Sequence, residues 1–321
     1  MRYLSGIQPS GIVHLGNYFG AMKQHVARQE DHACFYFIAD YHALTTVHDP
    51  KELEANVLDV AINYLAIGLD PEKVAFFRQS QVPEVTELTW ILSTVTPMGL
   101  LERCHSYKDK IAKGVSPSHG LFAYPVLMAA DILIYDSNRV PVGKDQIQHL
   151  EVTRDIALSF NRRYGEVLVL PEAEIPSEAS AAAVPGVDGQ KMSKSYGNTI
   201  DMFTTPKKIK KAVMRIETDS KTVEEPKDPE GNTIYQLYQL VASPDEIAEL
   251  AGRFRAGGLG YGDAKKALLE KVLDHFEPYQ KRRAELAADL GAVHEALRIG
   301  AEKARSAAGE TMERVRKAVG L

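Results

Sequence analysis

A glycine-containing turn close to the start of the chain constrains the fold more than any other segment. A short apolar run, Tyr3–Ile7, leads into the turn, and the stretch Tyr18–Val26 that follows it has apolar residues at helical spacing. The turn is therefore predicted to join a strand to a helix, which is where open α/β sheets bind ligands. Gly11 and Gly16 remove side chains where the backbone must approach a nucleotide, and N–H groups at the helix start can face phosphate oxygens.

A second segment far along the chain carries concentrated positive charge. It reads Lys191-Met192-Ser193-Lys194-Ser195, and it follows the glycine-containing stretch 185–189. Two ammonium groups three positions apart, on flexible stems, suit a leaving pyrophosphate, which needs diffuse positive charge more than rigid geometry. Glycines before the segment would let it close over phosphates and open again. Either segment alone is equally compatible with an ordinary solvated turn or loop.

The rest of the chain shows the alternation of strands and helices expected of a parallel sheet. Strand-like runs are Cys34–Ala39, Val74–Phe77 and Asn138–Val142, and the stretch 52–65 has helical spacing. After about Met202 no convincing strand appears, and the remainder reads as helical. The pattern predicts an α/β domain over residues 1–201, with a helical insertion, followed by an α-helical domain over residues 202–321.

Composition narrows the class of protein. A chain of 321 residues with 45% hydrophobic and 25% charged residues is long enough for one large core and a smaller domain. No signal-like or membrane-spanning apolar run is evident, so a cytoplasmic location and no membrane partner are expected. Cys34 and Cys104 are the only cysteines, so neither a disulfide framework nor a cysteine-rich metal cluster is expected.

Taken together, the two segments resemble the paired signature motifs of class I aminoacyl-tRNA synthetases. The first is the variant Pro9-Ser10-Gly11 through His14-Leu15-Gly16-Asn17, and the second is a complete Lys-Met-Ser-Lys-Ser loop. Further matches are the stretches 124–131 and 140–151, so that the resemblance covers essentially the whole chain and is closest to the tryptophanyl branch. It implies a Rossmann-like parallel-sheet catalytic domain and a C-terminal helical domain that binds the tRNA anticodon.

The resemblance also implies an amino-acid pocket. Asp131 lies in an apolar stretch, 122–135, where a carboxylate must be hydrogen-bonded to be tolerated. In the family pattern Asp131 accepts a hydrogen bond from the indole N–H, Met128 packs on the ring, and Tyr124 and Gln146 hold the ammonium end. His42 is placed in the same pocket. A tyrosine hydroxyl could also donate to Asp131, and a buried salt bridge or a helix N-cap is the purely structural alternative.

For ATP, the resemblance implies a site shared among several segments. Mg²⁺ is expected with ATP as part of the substrate complex, and no protein-bound metal is expected. Lys110, Lys191 and Lys194 are the candidates for stabilising the β- and γ-phosphates, with His14 beside the phosphates or the ribose. The remaining predicted ATP contacts are Gln8, Pro9, Ser10, Gly16, Asn17, Gly143, Lys144, Asp145, Val184, Met192, Ser193 and Ser195. Lys144 stands where an acidic residue is frequent in the family, and the loop 184–191 is short.

The implied reaction is an in-line attack by the carboxylate of L-tryptophan on the α-phosphorus of ATP, followed by transfer of the tryptophanyl group to tRNA(Trp). The formal net charge of −5 does not exclude tRNA, because basic residues are concentrated at 207–215 and 281–283. A homodimer is expected from the resemblance. Three alternatives remain: a tyrosine–tRNA ligase, a nucleotidyltransferase outside translation, and an inactive relative that binds without catalysis.

Overall fold

The computed structural model describes residues 1–9, 11–104, 118–143, 147–174 and 184–321. Five strands are present in these ranges: β1 (Arg2–Ile7), β2 (Ala33–Ile38), β3 (Ala75–Arg78), β4 (Arg139–Pro141) and β5 (Glu172–Glu174). The α-helices, in chain order, are α1 (Leu15–Asn17), α2 (Lys23–Arg28), α3 (Asp40–Ala43), α4 (Pro50–Ala66), α5 (Glu84–Ser93), α6 (Met98–Glu102), α7 (His119–Leu133), α8 (Ile147–Tyr164), α9 (Pro206–Met214), α10 (Thr233–Tyr238), α11 (Pro244–Ala256), α12 (Tyr261–Ala288) and α13 (Leu290–Val319).

The strands form one parallel sheet in the order β3-β2-β1-β4-β5. The strand order reverses beside β1, between β2 on one side and β4 on the other, and a crevice for ligands opens at the carboxyl ends of strands at such a point. The predicted α/β class with a Rossmann-like sheet is confirmed, and the three predicted strand runs lie within about two residues of β2, β3 and β4. Strand β5 was missed because it is three residues long and carries Glu172 and Glu174.

Contacts between backbone segments divide the chain into two units. The first consists of Met1–Gly11, Arg28–Ser177 and Asp289–Leu321, and the second of Ile12–Ala27 and Glu178–Ala288. The units therefore do not divide at the expected position between residues 201 and 202. The last helix, α13, was expected in a separate C-terminal domain but belongs to the first unit, with the sheet. As a functional division, the boundary at 201 stays a prediction.

Helix α13 packs against β3 through a face of small residues. Gly300, Ala301, Ala304, Ala307 and Ala308 are buried at the spacing of one helical face, so the helix axis can approach the sheet closely. A Cβ atom added at Gly300 would lie 1.9 Å from the carbonyl oxygen of Phe76 in the middle of β3. No side chain fits there without moving either the helix or the strand.

Ion pairs fix the same helix at its rim. Arg305 pairs with Glu84, Arg316 with Glu87, and Arg314 with Asp136. The Lys303 ammonium donates to the carbonyl oxygens of Pro71 and Glu72 at 2.6 and 2.7 Å. Since these pairs are partly exposed, each contributes at most about 1 kcal/mol, and they set the register of a helix held mainly by its apolar face.

In its described residues, 12–27 and 184–288, the second unit contains α-helices and two longer non-helical segments, 184–205 and 215–232, the first of which holds the 3₁₀ turn Lys194–Tyr196. Between α1 and α2 runs a π-helical turn, Tyr18–Met22, whose Tyr18 ring packs edge-on against Phe276 of α12. Helix α9 also packs on α12, and buries Ile209 and Val213. The exposed lysines at 207, 208, 210 and 211 occupy the remaining surface of α9.

The sequence predicts neither a membrane-spanning segment nor a protein-bound metal. In the described ranges, no helix is long and apolar enough to cross a bilayer. The same ranges contain no cluster of three or more His, Cys, Asp or Glu side chains arranged to hold a metal ion. Both cysteines are buried and reduced.

The contact between α13 and β3 predicts opposite effects for two glycine substitutions in one helix. Gly300→Ala should destabilise the protein by about 3 kcal/mol or more, because the new methyl group must displace backbone. Gly309→Ala is the matched control, since a Cβ atom there meets nothing within 4 Å. It should be neutral or stabilise by about 0.5–1 kcal/mol through helix propensity. Thermal melting of the three proteins measures both effects, and equal melting temperatures for the two variants would contradict this account of the packing.

Candidate functional site

A cavity of about 340 Å³ opens at the carboxyl end of the sheet where the strand order reverses. Its volume is in the range of pockets that hold small organic molecules. The wall is mostly apolar and comes from β1, β2, β4, α7 and the segments beside them. The lining residues are Leu4, Ser5, Gly6, Gln8, Phe37, Ala39, His42, Thr45, Leu121, Tyr124, Met128, Asp131, Ile132, Val140, Pro141, Val142, His149 and Leu150.

Asp131 is the carboxylate in this wall, and its hydrogen bonds come from two other elements. The side chain is 1% exposed and projects from α7. His42 of α3 donates from Nε2 to Oδ2 at 2.8 Å. Gln79, in the 3₁₀ turn Gln79–Gln81 after β3, donates from Nε2 to Oδ1 at 2.8 Å and to Oδ2 at 2.9 Å. The helix N-cap alternative is wrong, because Asp131 lies inside α7, and its contact with His42 is an ion pair when that imidazole is protonated.

Opposing effects act on the ionisation of Asp131. Burial raises the pKa of this carboxyl group above its usual value, and the hydrogen bond and charge of His42, followed by the hydrogen bond of Gln79, lower it. The nearby Asp40 carboxylate raises it further. The hydrogen bonds from His42 and Gln79 therefore favour the ionised carboxylate, which can accept a further hydrogen bond from a ligand.

The structure brings most of the predicted amino-acid pocket together. Tyr124, Met128, Asp131 and His42 all line the cavity, and Gln8, which was expected at the ATP site, lines it too. The Tyr124 hydroxyl and His149 Nε2 are 3.5 Å apart. Gln146 lies outside the described residues, as do Ser10, Lys110, Lys144 and Asp145 of the expected ATP contacts.

Thr45 and His149, which line this cavity, and Gln79, which contacts Asp131 without lining it, had not been selected from the sequence. For Gln79 a signal was available, because it is a polar residue that directly follows the apolar strand β3. Polar residues at the carboxyl ends of parallel strands are candidates for ligand sites. His149 had been noted only as part of a matching stretch, and nothing in its spacing pointed to the cavity.

In the second unit, the two signature segments meet. The Gly16 N–H donates to the Met192 sulfur at 3.4 Å, and the Leu15 N–H donates to the Ile200 carbonyl at 3.0 Å. A Cβ atom at Gly16 would lie 3.0 Å from the His14 ring and 3.3 Å from Met192 Cβ, so the glycine allows this contact. Met192 is buried, whereas Lys191, Lys194 and Ser195 are exposed.

His14 is enclosed in this contact. It is 5% exposed, and its Nδ1 atom is buried without a hydrogen-bond partner among the described residues. Burial and the nearby Lys194 ammonium lower the pKa of His14 to about 4, against a smaller opposing effect of Asp201. His14 is therefore neutral at pH 7, and its orphaned nitrogen is available to a ligand that supplies a hydrogen-bonding partner.

Asn198 holds the cationic loop in shape, although the sequence analysis did not select it. This side chain is 2% exposed; its oxygen accepts from the Ser193 N–H at 2.7 Å, and its amide donates to Asp188 at 2.8 Å and to the Lys191 carbonyl at 3.1 Å. Since these partners surround the Lys-Met-Ser-Lys-Ser segment, the backbone of that segment is ordered while its two lysine side chains reach into solvent.

The other predicted ATP contacts have varied surroundings. Gly143 follows β4 at the carboxyl end of the sheet and is exposed, and Pro9 is buried after β1. Asn17 accepts from the His14 N–H at 3.1 Å. The Val184 carbonyl accepts from the Met192 N–H at 2.9 Å. None of these observations tests the predicted contact with ATP.

Comparison with known proteins identifies the family. Residues 1–277 match the family described as class I tRNA synthetases for tryptophan and tyrosine. The chain is 56% identical over 321 residues to the tryptophan–tRNA ligase of Rhodopirellula baltica, covering 100% of both chains. It is 56% identical to that of Fusobacterium nucleatum, covering 100% of this chain and 98% of the relative. The crystal structure of Campylobacter jejuni tryptophanyl-tRNA synthetase complexed with ADP and tryptophan superimposes with a TM-score of 0.95 at 51% identity, covering 100% of both chains.

The enclosure of His14 predicts its titration. Because its pKa is about 4 in the folded protein, its imidazole should stay neutral as the pH falls from 8 to 5, while an exposed histidine titrates near 6.5. NMR titration of labelled histidines measures this, with the signal assigned by its loss in His14→Asn. A midpoint near 6.5 for that signal would show that the ring is not enclosed in solution.

Proposed function

Since the chain belongs to the class I tRNA synthetases for tryptophan and tyrosine, we propose that it is a tryptophan–tRNA ligase. It activates L-tryptophan with ATP to tryptophanyl-adenylate and pyrophosphate, and then transfers the tryptophanyl group to tRNA(Trp). The observation that carries this proposal is the Asp131 carboxylate, buried in the wall of an apolar cavity of about 340 Å³.

The cavity suits an indole side chain. Its apolar wall can cover a flat ring, and Asp131 can accept one hydrogen bond from the indole N–H. Met128 packs on the ring from α7, Tyr124 holds the ammonium group with Gln146, and His42 keeps Asp131 in its acceptor form. A site of this kind discriminates against an analogue without the donor, because the buried carboxylate would be left with an unfilled acceptor position.

For the nucleotide, the residues of the second unit supply the charge. The Lys191 and Lys194 side chains lie on an ordered backbone and extend into solvent, where they can neutralise the β- and γ-phosphates of Mg²⁺-bound ATP, together with Lys110. His14, neutral at pH 7, offers hydrogen bonding without adding charge. The backbone at Gly16 and Asn17 approaches the nucleotide, and the loop residues Ser193 and Ser195 contact the phosphates. Gln8, Pro9, Ser10, Gly143, Lys144, Asp145 and Val184 contact the adenosine.

The substrate carboxylate attacks the α-phosphorus in line, and the bond from that phosphorus to the bridging oxygen of pyrophosphate breaks. No covalent enzyme intermediate is needed, because the carboxylate is already a competent nucleophile. The protein contributes orientation and charge stabilisation. The adenylate carbonyl carbon is then attacked by a ribose hydroxyl at the tRNA terminus, and AMP leaves.

The remaining partners follow from the family. We propose a homodimer, a cytoplasmic location where tRNA is charged for protein synthesis, and anticodon binding by the helical segment after residue 202. The exposed lysines of α9 and the basic end of α12, Lys281–Arg283, provide positive charge for the tRNA backbone.

The proposed activity predicts ATP–pyrophosphate exchange that depends on L-tryptophan in the presence of Mg²⁺. Exchange should be absent with L-tyrosine at the same concentration, and no tRNA should be required. Assays with the two amino acids in parallel measure this. Exchange with tyrosine alone would assign the other branch of the family, and exchange with neither amino acid would favour a relative that binds without catalysis.

A lysine variant separates charge stabilisation from amino-acid binding. Lys194→Ala should lower the rate of adenylate formation about 10²-fold to 10³-fold, because one cation facing the leaving pyrophosphate is lost. Its affinity for tryptophan, measured by calorimetry, should not change. The matched control is Lys266→Ala on α12, where an exposed lysine pairs with Asp263 on the same helix. Equal losses in rate and tryptophan affinity for Lys194→Ala would contradict the proposed role.

A further inference from the structure

The hydrogen bonds around Asp131 leave one acceptor position open, and Gln79 determines which one. A carboxylate has about four acceptor positions, two on each oxygen. His42 and Gln79 occupy both positions on Oδ2, and Gln79 occupies one on Oδ1. Among the contacts of the described residues, a single position remains, and it is on Oδ1.

The geometry specifies the side from which that position is approached. Gln79 Nε2 lies at nearly equal distances from the two oxygens, 2.8 and 2.9 Å, and therefore lies between them, in the plane that bisects the carboxylate. Since the inner side of Oδ1 faces Gln79, the open position is on its outer side. One open position matches one N–H donor.

Gln79 cannot turn its amide around. Its Oε1 accepts a hydrogen bond from the Tyr41 N–H at 3.1 Å, and the side chain is 1% exposed. The turn that carries it is fixed to α3 by Asp40, which accepts from the Ser80 N–H at 3.0 Å and from the Ser80 hydroxyl at 2.5 Å. A reversed amide would place its oxygen against the Asp131 carboxylate, which is unfavourable for two acceptors.

We propose that Gln79 is a positioning residue for amino-acid specificity: it directs Oδ1 of Asp131 toward the indole N–H and keeps the other acceptor positions filled. The proposal rests on the proposed function, in which Asp131 binds that N–H. Gln79 does not line the cavity and acts only through Asp131, so its effect depends on whether the ligand has a hydrogen to donate.

The test compares tryptophan with its analogue in which sulfur replaces the indole N–H. Gln79→Met has a similar volume and removes both hydrogen bonds to Asp131, while the Tyr41 N–H keeps its bond to Asp40 Oδ1 at 3.0 Å. Tryptophan affinity, measured by calorimetry, should fall about 10-fold to 100-fold, as expected for loss of hydrogen bonds to a charged group. Affinity for the sulfur analogue should change little, and the KM for ATP should stay the same.

Gln81→Met is the matched control in the same turn. The Gln81 side chain accepts from the Arg78 N–H at 2.9 Å and does not contact Asp131. Its loss weakens the turn without touching the carboxylate, so the ratio of the two affinities should stay at the wild-type value. If Gln79→Met does not fold, Gln79→Leu replaces it, since it also removes both hydrogen bonds to Asp131 while the Tyr41 N–H keeps its bond to Asp40.

The outcomes separate this inference from the proposed function. Selective loss of tryptophan affinity in the Gln79 variants supports the inference. Equal losses for tryptophan and the sulfur analogue would overturn it and leave Gln79 a structural residue. If the wild-type protein binds both ligands equally well, Asp131 does not accept a hydrogen bond from the indole N–H. In that case the proposed function of the cavity as a tryptophan pocket is wrong.

Discussion

A carboxylate buried inside an apolar helix is the constraint on which the arrangement around the cavity depends. An unpaired charge at the position of Asp131 would destabilise the fold by several kcal/mol, so donors must be supplied from outside α7. They come from helix α3, which follows β2 and carries His42, and from the 3₁₀ turn after β3, which carries Gln79. The need to satisfy one carboxylate therefore joins the ends of two neighbouring strands to a helix, and the cavity that results already has its polar group oriented.

The sheet has to be held equally firmly for those turns to stay in place, and α13 does this for β3. The helix approaches so closely at Gly300 that the strand and the helix have almost no freedom to shift against each other. Since β3 leads directly into the turn with Gln79, contacts run without a break from α13 through β3 and Gln79 to Asp131. A segment at the end of the chain is in this way part of the sheet domain.

How much the sequence could predict differs between these features. The strands β2 and β3 and the helices α4 and α8 were predictable, because their apolar residues recur at the spacing of buried elements, and the pairing of Asp131 with a donor followed from its apolar surroundings. The partner Gln79 was not identified, since 52 residues separate it from Asp131 and no local pattern connects them. The location of α13 was missed for a similar reason: its alanine-rich face shows that something packs closely on it, and only the folded chain shows that this is β3.

The second unit controls charge in a different way, through a residue that is kept neutral. His14 stays unprotonated because Gly16 and Met192 exclude water from its ring and Lys194 lies nearby. In the proposed nucleotide site, the positive charge for phosphates comes from lysines with flexible side chains, while the fixed imidazole offers a hydrogen bond without charge. Met192 is part of both the enclosure and the cationic loop, so displacement of the loop would expose the ring and return its pKa toward 6.5. The protonation of His14 and the position of the loop are therefore linked: the neutral imidazole favours the loop conformation in which Met192 contacts Gly16, and this preference is lost as the pH falls from about 6.5, where the exposed ring gains a proton, to about 4.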